Sequence, residues 1–284
     1  MALQNLGLTT AANEACISLG AGIKNIMPFA HSLNAEAGRK GEIVKVPVYT
    51  TEAAEFDEQN NNYAQLSNVV GVDVSINKHP VAGFDATDVQ LSQTDVNFFA
   101  DSGRAAGRAI SRKMQKDFFG MVAELSGATD LSATVTETKQ GFADLYKTAV
   151  DNDIEPSNAV LVLAPGSYAK LLGTVGDSAI IGSNALAEGM FRGFVGFDYV
   201  IATPYLPEGV KGFIAEKGAM AFGGRGIEVD ESAYKQVGTV TDEGTGAPIT
   251  LLMFTKPETG KSHVTATGLY GCKIVDKKHI VKLV

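Results

Sequence analysis

The sequence predicts an α+β fold, and three features of its pattern support this class. Apolar and polar residues alternate near residue 45 and again near residue 73, which predicts two β-strands. Residues 94–125 then carry apolar side chains at spacings of three and four, which is typical of a long amphipathic helix. From about residue 126, short helical and strand-like segments alternate, so we expect a mixed sheet with helices packed on it.

Residues 1–38 form the first predicted unit, an N-terminal arm. The stretch TTAANEACISL predicts a short helix that begins at a threonine cap. We expect Gly20, Gly22 and Pro28 to interrupt this helix. Because the segment is rich in small residues, it would make a poor core on its own.

Residues 39–92 predict an extended loop made of two legs, GEIVKVPVY and VVGVDVSINKHPVAGFD, that pair as a two-stranded ribbon. Pro47 favours an edge or exposed strand, and a leg of about 16 residues would reach about 50 Å. An isolated two-stranded ribbon is at best marginally stable in water. We therefore expect the ribbon to lie on a neighbouring subunit; the alternative is that it curls back over its own domain.

Residues 93–126 predict one long helix that is capped by Thr94. Its apolar stripe includes Ile110, Met114 and Phe118, while Gly103 and Gly107 weaken its first half and could allow a break there. A second row at spacing four is basic and consists of Arg104, Arg108, Arg112 and Lys116. Like charges in such a row repel, so carboxylates from elsewhere would stabilise it, unless the row is simply a solvated face.

The C-terminal half predicts several further elements. TETKQGFADLYKTAVDNDI predicts an amphipathic helix that buries Phe142, Leu145 and Val150. NAVLVLAPGSYAKLLG predicts a buried strand followed by a short helix that begins at Pro165 and ends at Gly173. SHVTATGLYGCKIVDKKHIVKLV alternates over a length sufficient for two more strands.

Composition limits the classes of function. The chain has 284 residues, a net charge of −8 and a pI near 5.1, which argues against tight, sequence-independent DNA binding. The two cysteines, Cys16 and Cys272, form no disulfide framework, and a reduced or redox-indifferent compartment is the better interpretation. The N-terminus lacks the features of a signal peptide, and no apolar run approaches the roughly 18 residues that span a bilayer.

No pattern in the sequence predicts a catalytic, cofactor or metal site. The four histidines are scattered, and none has a partner at metal-ligand spacing on a predicted helix. FGGRG, at residues 222–226, precedes a strand-like run where a phosphate loop would need a helix. Four acids lie between the two legs of the ribbon, at its tip: Glu52, Glu55, Asp57 and Glu58. This segment is polar, so desolvation cannot tune their pKa values for acid–base catalysis.

The order of these parts resembles the major capsid proteins of tailed bacteriophages, which have the Hong Kong 97-type fold. KGEIVKVPVY is similar to the start of the extended loop in that family, and residues 94–125 look like its spine helix. VLVLAPGSYAKLL resembles the strand, proline and helix of its axial domain, and TGLYGCKIVDKKHIVKL resembles its closing strands. The resemblance covers nearly the whole chain, and the order of the motifs carries it.

The resemblance implies a division of the chain and a function. Its segments would be an N-terminal arm (1–38), an extended loop (39–92), the spine helix of the peripheral domain (93–126), an axial domain (127–225), peripheral-domain strands (226–271) and a closing strand (272–284). Pentamers and hexamers would build an icosahedral shell around a double-stranded DNA genome, which the inner face would contact weakly. A separate scaffolding protein and a portal would be partners, no cofactor or membrane would be involved, and assembly of the virion would occur in the host bacterial cytoplasm.

Opposite charges suggest which residues make the contact between subunits. We hypothesise that acids at the ribbon tip meet basic residues of the long helix of a neighbour. The acids are Glu52, Glu55, Asp57 and Glu58, and the basic residues are Arg104, Arg108, Arg112, Lys113 and Lys116. Exposed ion pairs contribute only about 0–1 kcal/mol each, so they would set register more than strength.

Two other functions fit the same sequence. The first is an encapsulin-like nanocompartment, in which the shell encloses an enzyme instead of a genome. The second is a two-domain α/β enzyme whose site assembles from dispersed residues.

Overall fold

The computed structural model describes residues 2–34, 43–50, 68–87, 96–125, 131–175, 190–194, 196–256 and 261–284. Its α-helices are α1 (Ala2–Ile23), α2 (Val96–Gly120), α3 (Lys139–Asp151) and α4 (Pro165–Val175). The N-terminal strands are β1 (Ala30–Ser32), β2 (Ile43–Thr50), β3 (Asn68–Ser75), β4 (Val81–Thr87) and β5 (Leu131–Ala133). The next are β6 (Ala159–Leu163), β7 (Met190–Phe194), β8 (Phe197–Ala202), β9 (Gly212–Glu216) and β10 (Met220–Arg225). The last are β11 (Gln236–Thr241), β12 (Pro248–Lys256), β13 (Lys261–Thr267), β14 (Leu269–Ile274) and β15 (Ile280–Leu283).

Helix α1 is longer than the sequence predicts, because neither Gly20 nor Gly22 interrupts it. It runs parallel to α2 and buries one side, including Ala11, Ala15 and Leu19, in the main core. The prediction of a short, interrupted helix was wrong. Glycine weakens an isolated helix, but here it allows close packing, since a side chain at Gly22 would overlap Ser111 of α2.

Helix α2 is continuous from Val96 to Gly120 and extends as a 3₁₀ turn over Met121–Glu124. The predicted apolar stripe is confirmed: Ile110, Met114 and Phe118 are all buried. The predicted cap Thr94 lies outside the described residues. Gly103 and Gly107 do not break the helix, and they face the backbone of α1.

A mixed six-stranded sheet, with the order β5-β15-β9-β6-β8-β7, forms one layer of the molecule. All five residues of β6 are buried because both faces of the sheet are covered. Leu161 and Leu163 face a cluster that contains residues of α3 and α4, whereas Val160 and Val162 face the main core. Within α3, Phe142 and Leu145 are buried as predicted, but Val150 is exposed, contrary to the prediction.

Two smaller sheets lie on the other side of the main core. The four-stranded sheet has the order β11-β12-β13-β4, and its strands pair antiparallel. The three-stranded sheet has the order β1-β10-β14. Strand β4 therefore belongs to the body of the protein, so the predicted return leg of the ribbon, which extended to Asp85, is too long.

An aromatic cluster joins these layers. Phe29, after α1, packs against Phe118 and Phe119 at the end of α2, with ring centroids 5.6 and 6.4 Å away. Phe213 of the six-stranded sheet lies 6.1 Å from Phe29, and Phe222 of the three-stranded sheet lies 6.2 Å from Phe118. These contacts fix the end of α2 between two sheets.

The sheets do not follow the segments that the resemblance implies, because strands of one segment belong to different sheets. Strand β10 falls within 127–225 but pairs with β14, and β15 falls within 272–284 but joins the six-stranded sheet. Helix α4 begins at Pro165, as predicted, and continues two residues beyond Gly173. The segment boundaries stay predictions.

Candidate assembly interface

The predicted ribbon is present as the antiparallel pair β2–β3. Val46 lies opposite Val72, and Pro47 lies opposite Gly71. The alternation places the apolar residues Val44, Val46 and Val74 on one face, as expected for a strand with one covered side.

This apolar face is buried at the base of the ribbon and becomes exposed to solvent toward the outer end. Ile76 is 1% exposed and Val74 is fully buried, but Val70, on the same face of β3, is 55% exposed. At the buried end, Val46 and Val74 pack against Leu33 and Ala221. The ribbon therefore rests on its own domain at its base, and the described residues do not cover its outer end.

The four predicted acids of the ribbon tip lie outside the described residues. They are Glu52, Glu55, Asp57 and Glu58. Their contact with a neighbour stays a prediction.

Two members of the predicted basic set already have partners within the chain. Arg104 donates to Glu14 of α1, with Nε 2.7 Å from Oε2, and it also pairs with Asp101. The hydrogen bond from Arg104 holds the pKa of Glu14 below its usual value. Lys113 Nζ lies 2.8 Å from Asp117 Oδ1. These two cations are therefore less suited than the others to hold a neighbour.

The remaining three cations, Arg108, Arg112 and Lys116, are exposed. Among the residues that the structure describes, none of the three has an ion-pair partner. Their spacing of four residues places them about 6 Å apart along one side of α2. We call these three residues the free basic row.

Helix α1 borders this row, which the sequence did not predict. Glu14 of α1 reaches Arg104, which lies one turn of α2 before the free basic row, and Ile17 is 61% exposed on the outer side of α1. A signal was present in the sequence: Ala11 and Ala15 share the four-residue spacing of Gly103 and Gly107. Small residues at this spacing allow two helices to approach closely.

Asp117, near the end of α2, forms a second polar site. Its Oδ1 accepts from Lys113, while Oδ2 accepts from the Tyr270 hydroxyl at 2.7 Å and lies 3.3 Å from Lys78 Nζ. The Asp117 side chain is only 16% exposed. No sequence pattern predicts this convergence, because its members come from separate elements.

Opposing influences act on the pKa values at this site. Burial raises the pKa of Asp117, but the hydrogen bonds from Lys113, Tyr270 and Lys78 outweigh it, so the pKa lies below its usual value. Burial and the bond to Asp117 raise the pKa of Tyr270. The carboxylate is therefore ionised, and the phenol is its hydrogen-bond donor.

Other groups suited to chemistry do not converge within the described part of the chain. No three histidine, cysteine or acidic residues there are placed to hold a metal ion. Cys16 and Cys272 are free thiols, and burial raises the pKa of Cys16 to about 11. No described helix combines the length and apolarity needed to cross a membrane.

His31 and His279, which are far apart in the sequence, both line one cleft of about 540 Å³ beside the ribbon base. His279 Nδ1 lies 2.7 Å from Asp276 Oδ2, and His31 lies elsewhere on the wall. The cleft combines acidic and basic groups with the apolar residues Val46 and Val48.

Comparison with solved structures identifies capsids as similar folds. The capsid of a native GTA particle has a TM-score of 0.61 at 12% identity, covering 93% of this chain and 89% of that one. A virus-like particle from Pyrococcus furiosus has a TM-score of 0.59 at 13% identity, covering 98% and 99%. A protein of Mycobacterium phage Che8 has a TM-score of 0.53 at 15% identity, covering 91% and 90%.

Sequence comparison gives the family. No curated protein matches the sequence. The family model described as "Phage capsid protein" matches residues 70–283, three quarters of the chain. The predicted resemblance to Hong Kong 97-type capsid proteins is confirmed, and the chain belongs to the phage capsid protein family.

Proposed function

We propose that this protein is the major capsid protein of a tailed phage and that its pentamers and hexamers form an icosahedral shell around double-stranded DNA. The match of residues 70–283 to phage capsid proteins carries this proposal. The net charge of −8 supports weak contact with the genome on the inner face. A separate scaffolding protein, a portal and assembly in the bacterial cytoplasm belong to the same proposal.

The ribbon would act as a clasp between copies. The apolar face of the ribbon is buried at its base and continues outward to Val70, which is 55% exposed. None of the described residues covers Val70. A second copy would supply that cover. Acids at the tip would meet the free basic row of that copy, while Arg104 and Lys113 would contribute less because Glu14 and Asp117 hold them.

The domain names follow the same proposal. The six-stranded sheet with α3 and α4 would form the axial domain, and α2 with the four-stranded sheet would form the peripheral domain. Strand β15, whose neighbours are β5 and β9, would then belong to the axial domain.

A nanocompartment is the second candidate, and one observation favours it. The virus-like particle from Pyrococcus furiosus is matched over 98% of this chain and 99% of that one. The two functions would share the same shell and differ in what it encloses. An enzyme is the weaker alternative, since the chain belongs to a family of structural proteins.

Electron microscopy of particles from the producing cells tests these functions. After nuclease treatment of the outside, closed shells that contain double-stranded DNA would support a phage capsid. Shells that contain a protein and no DNA would indicate a nanocompartment. A monomer or small oligomer with a bound metabolite, measured by light scattering and mass spectrometry, would overturn both.

A further inference from the structure

The ribbon is joined to the body through the segment that follows β3. We call residues 76–80 the ribbon root. Lys78 and Tyr270 of β14 exchange two backbone hydrogen bonds, each 3.0 Å long. Gly271 lies against the backbone of Ser75, and a side chain at Gly271 would overlap the Ser75 carbonyl oxygen. The ribbon root is therefore fixed to β14 by its backbone.

Side chains connect the same place to α2. Lys78 from the ribbon root and Tyr270 from β14 both reach Asp117 Oδ2, at 3.3 and 2.7 Å. Within the described part of the chain, Lys78–Asp117 is the only ion pair between the ribbon root and α2. One carboxylate thus collects donors from three elements: α2, the ribbon root and β14.

Small changes at this point would be amplified along the ribbon. Eight residues of β3 extend about 26 Å, so a rotation of about 10° at the root would move the outer end by about 5 Å. Such a displacement exceeds the range of a hydrogen bond or an ion pair. The direction of the ribbon relative to α2 must therefore be well defined if both surfaces take part in one shell.

We propose that Asp117 is a positioning residue that fixes the direction of the ribbon relative to α2 and thereby sets the curvature of the shell. This inference rests on the proposed function, in which the ribbon contacts one neighbour and the free basic row receives another. Because Asp117 links these two surfaces within one copy, it relates one contact to the next around the shell. Its effect is on geometry, and the contacts themselves lie elsewhere.

The first test measures the direction of the ribbon in the unassembled subunit. Spin labels on Val70→Cys and Ala109→Cys, both exposed positions, report the distance from the ribbon to α2 in a Cys16→Ala, Cys272→Ser background. Cys272 Sγ accepts from Lys78 Nζ at 3.7 Å, so serine is chosen to keep an acceptor there, and this background without further substitution is the reference. We expect Lys78→Met and Asp117→Asn to widen the distance distribution at least twofold. Lys113→Ala, which removes only the donor within α2, should leave it unchanged.

The second test measures the particles. We expect Lys78→Met and Asp117→Asn to reduce the fraction of particles with the wild-type diameter at least twofold in electron micrographs. Ile201→Val, which removes a buried methylene from the six-stranded sheet, is the control for a general loss of stability and should keep the wild-type diameter.

The outcomes separate this inference from the proposed function. A wild-type protein that forms no particles would contradict the proposed function, while the distance measurement would still test whether Asp117 fixes the ribbon. Distances and diameters that stay as in the wild type for Lys78→Met would overturn the positioning role. Lys78 is partly exposed, so this variant is expected to fold even if Asp117→Asn does not.

Discussion

Two glycines of α2 are required by the close approach of α1. A methyl group at Gly103 or Gly107 would overlap the carbonyl oxygens of Ala11 and Ala15, respectively. Because backbone atoms cannot move aside as a flexible side chain can, we expect Gly103→Ala and Gly107→Ala each to lower the free energy of unfolding by about 1–3 kcal/mol. Chemical denaturation of the unassembled subunit would measure this.

Gly120 provides the matched control on the same helix. An added methyl group there meets no atom within 4 Å, and alanine favours a helix more than glycine does. Gly120→Ala should therefore be neutral or raise stability by up to about 1 kcal/mol. Equal gains in stability for all three variants would show that helix propensity, and not the contact with α1, decides the outcome.

The charge on Asp117 makes part of the stability depend on pH. Its folded-state pKa lies below the ordinary value of 3.8, so its contribution is complete above that value and is lost as pH falls through the folded pKa. Asp117→Asn should lower the free energy of unfolding by about 2 kcal/mol at pH 7, the usual range for hydrogen bonds to a charged group. Urea unfolding at pH 7 and pH 3 should give a smaller difference from wild type at pH 3. A difference that is constant with pH would contradict an ionised carboxylate at this site.

In the proposed assembly, the ribbon would present the acids of its tip to the free basic row of another copy. Glu55→Lys, Asp57→Lys and Glu58→Lys together would then replace attraction with repulsion. A change of about 1.4 kcal/mol per contact would raise the protein concentration needed for assembly about tenfold. Light scattering during assembly would measure this concentration.

Two comparisons make the ribbon prediction specific. Reversal of three exposed acids elsewhere, Asp151, Glu208 and Glu243, produces the same change in net charge and should have less effect. Adding Arg108→Glu and Arg112→Glu to the ribbon variant should restore assembly in part. Wild-type assembly by the triple ribbon variant would exclude these acids from the contact.

Elements with a clear local pattern could be predicted from the sequence. Strands β2 and β3 alternate over residues 44–48 and 70–75, and α2 has a strong apolar stripe, so their types and buried faces follow from local rules. Helix α1 could not be predicted to its full length, since Gly20 and Gly22 disfavour a helix locally. They are accepted because tertiary packing outweighs propensity: Gly22 lies against Ser111 of α2, and Gly20 lies against Asp242, which follows β11.

The candidate site was predictable only where charge follows a period along one helix. Arg108 and Arg112 stand out in this way, but nothing local predicts that Glu14 holds Arg104. The Asp117 site depends on Lys78 and Tyr270, and Tyr270 lies 153 positions from Asp117. Contacts of this kind arise from the order of strands in the sheets, which local alternation does not determine.

At the scale of the whole molecule, the C-terminal strand holds the six-stranded sheet together. Strand β15 lies between β5 and β9, and Ile280, Val281 and Leu283 are fully buried. Ile280 belongs to the main core, whereas Val281 and Leu283 belong to the cluster under α3 and α4. Removing this strand therefore exposes both faces of the sheet at once.

We expect a chain truncated after Lys278 to lose cooperative unfolding of the whole subunit, because β5 and β9 cannot pair across the gap and two cores lose their shared strand. Differential scanning calorimetry should show no sharp transition, and near-ultraviolet circular dichroism should lose its tertiary signal. Lys278→Ala, an exposed substitution just before β15, should unfold as the wild type does. If the truncated chain kept a sharp transition near the wild-type temperature, β15 would be a dispensable edge strand, in conflict with its place between β5 and β9.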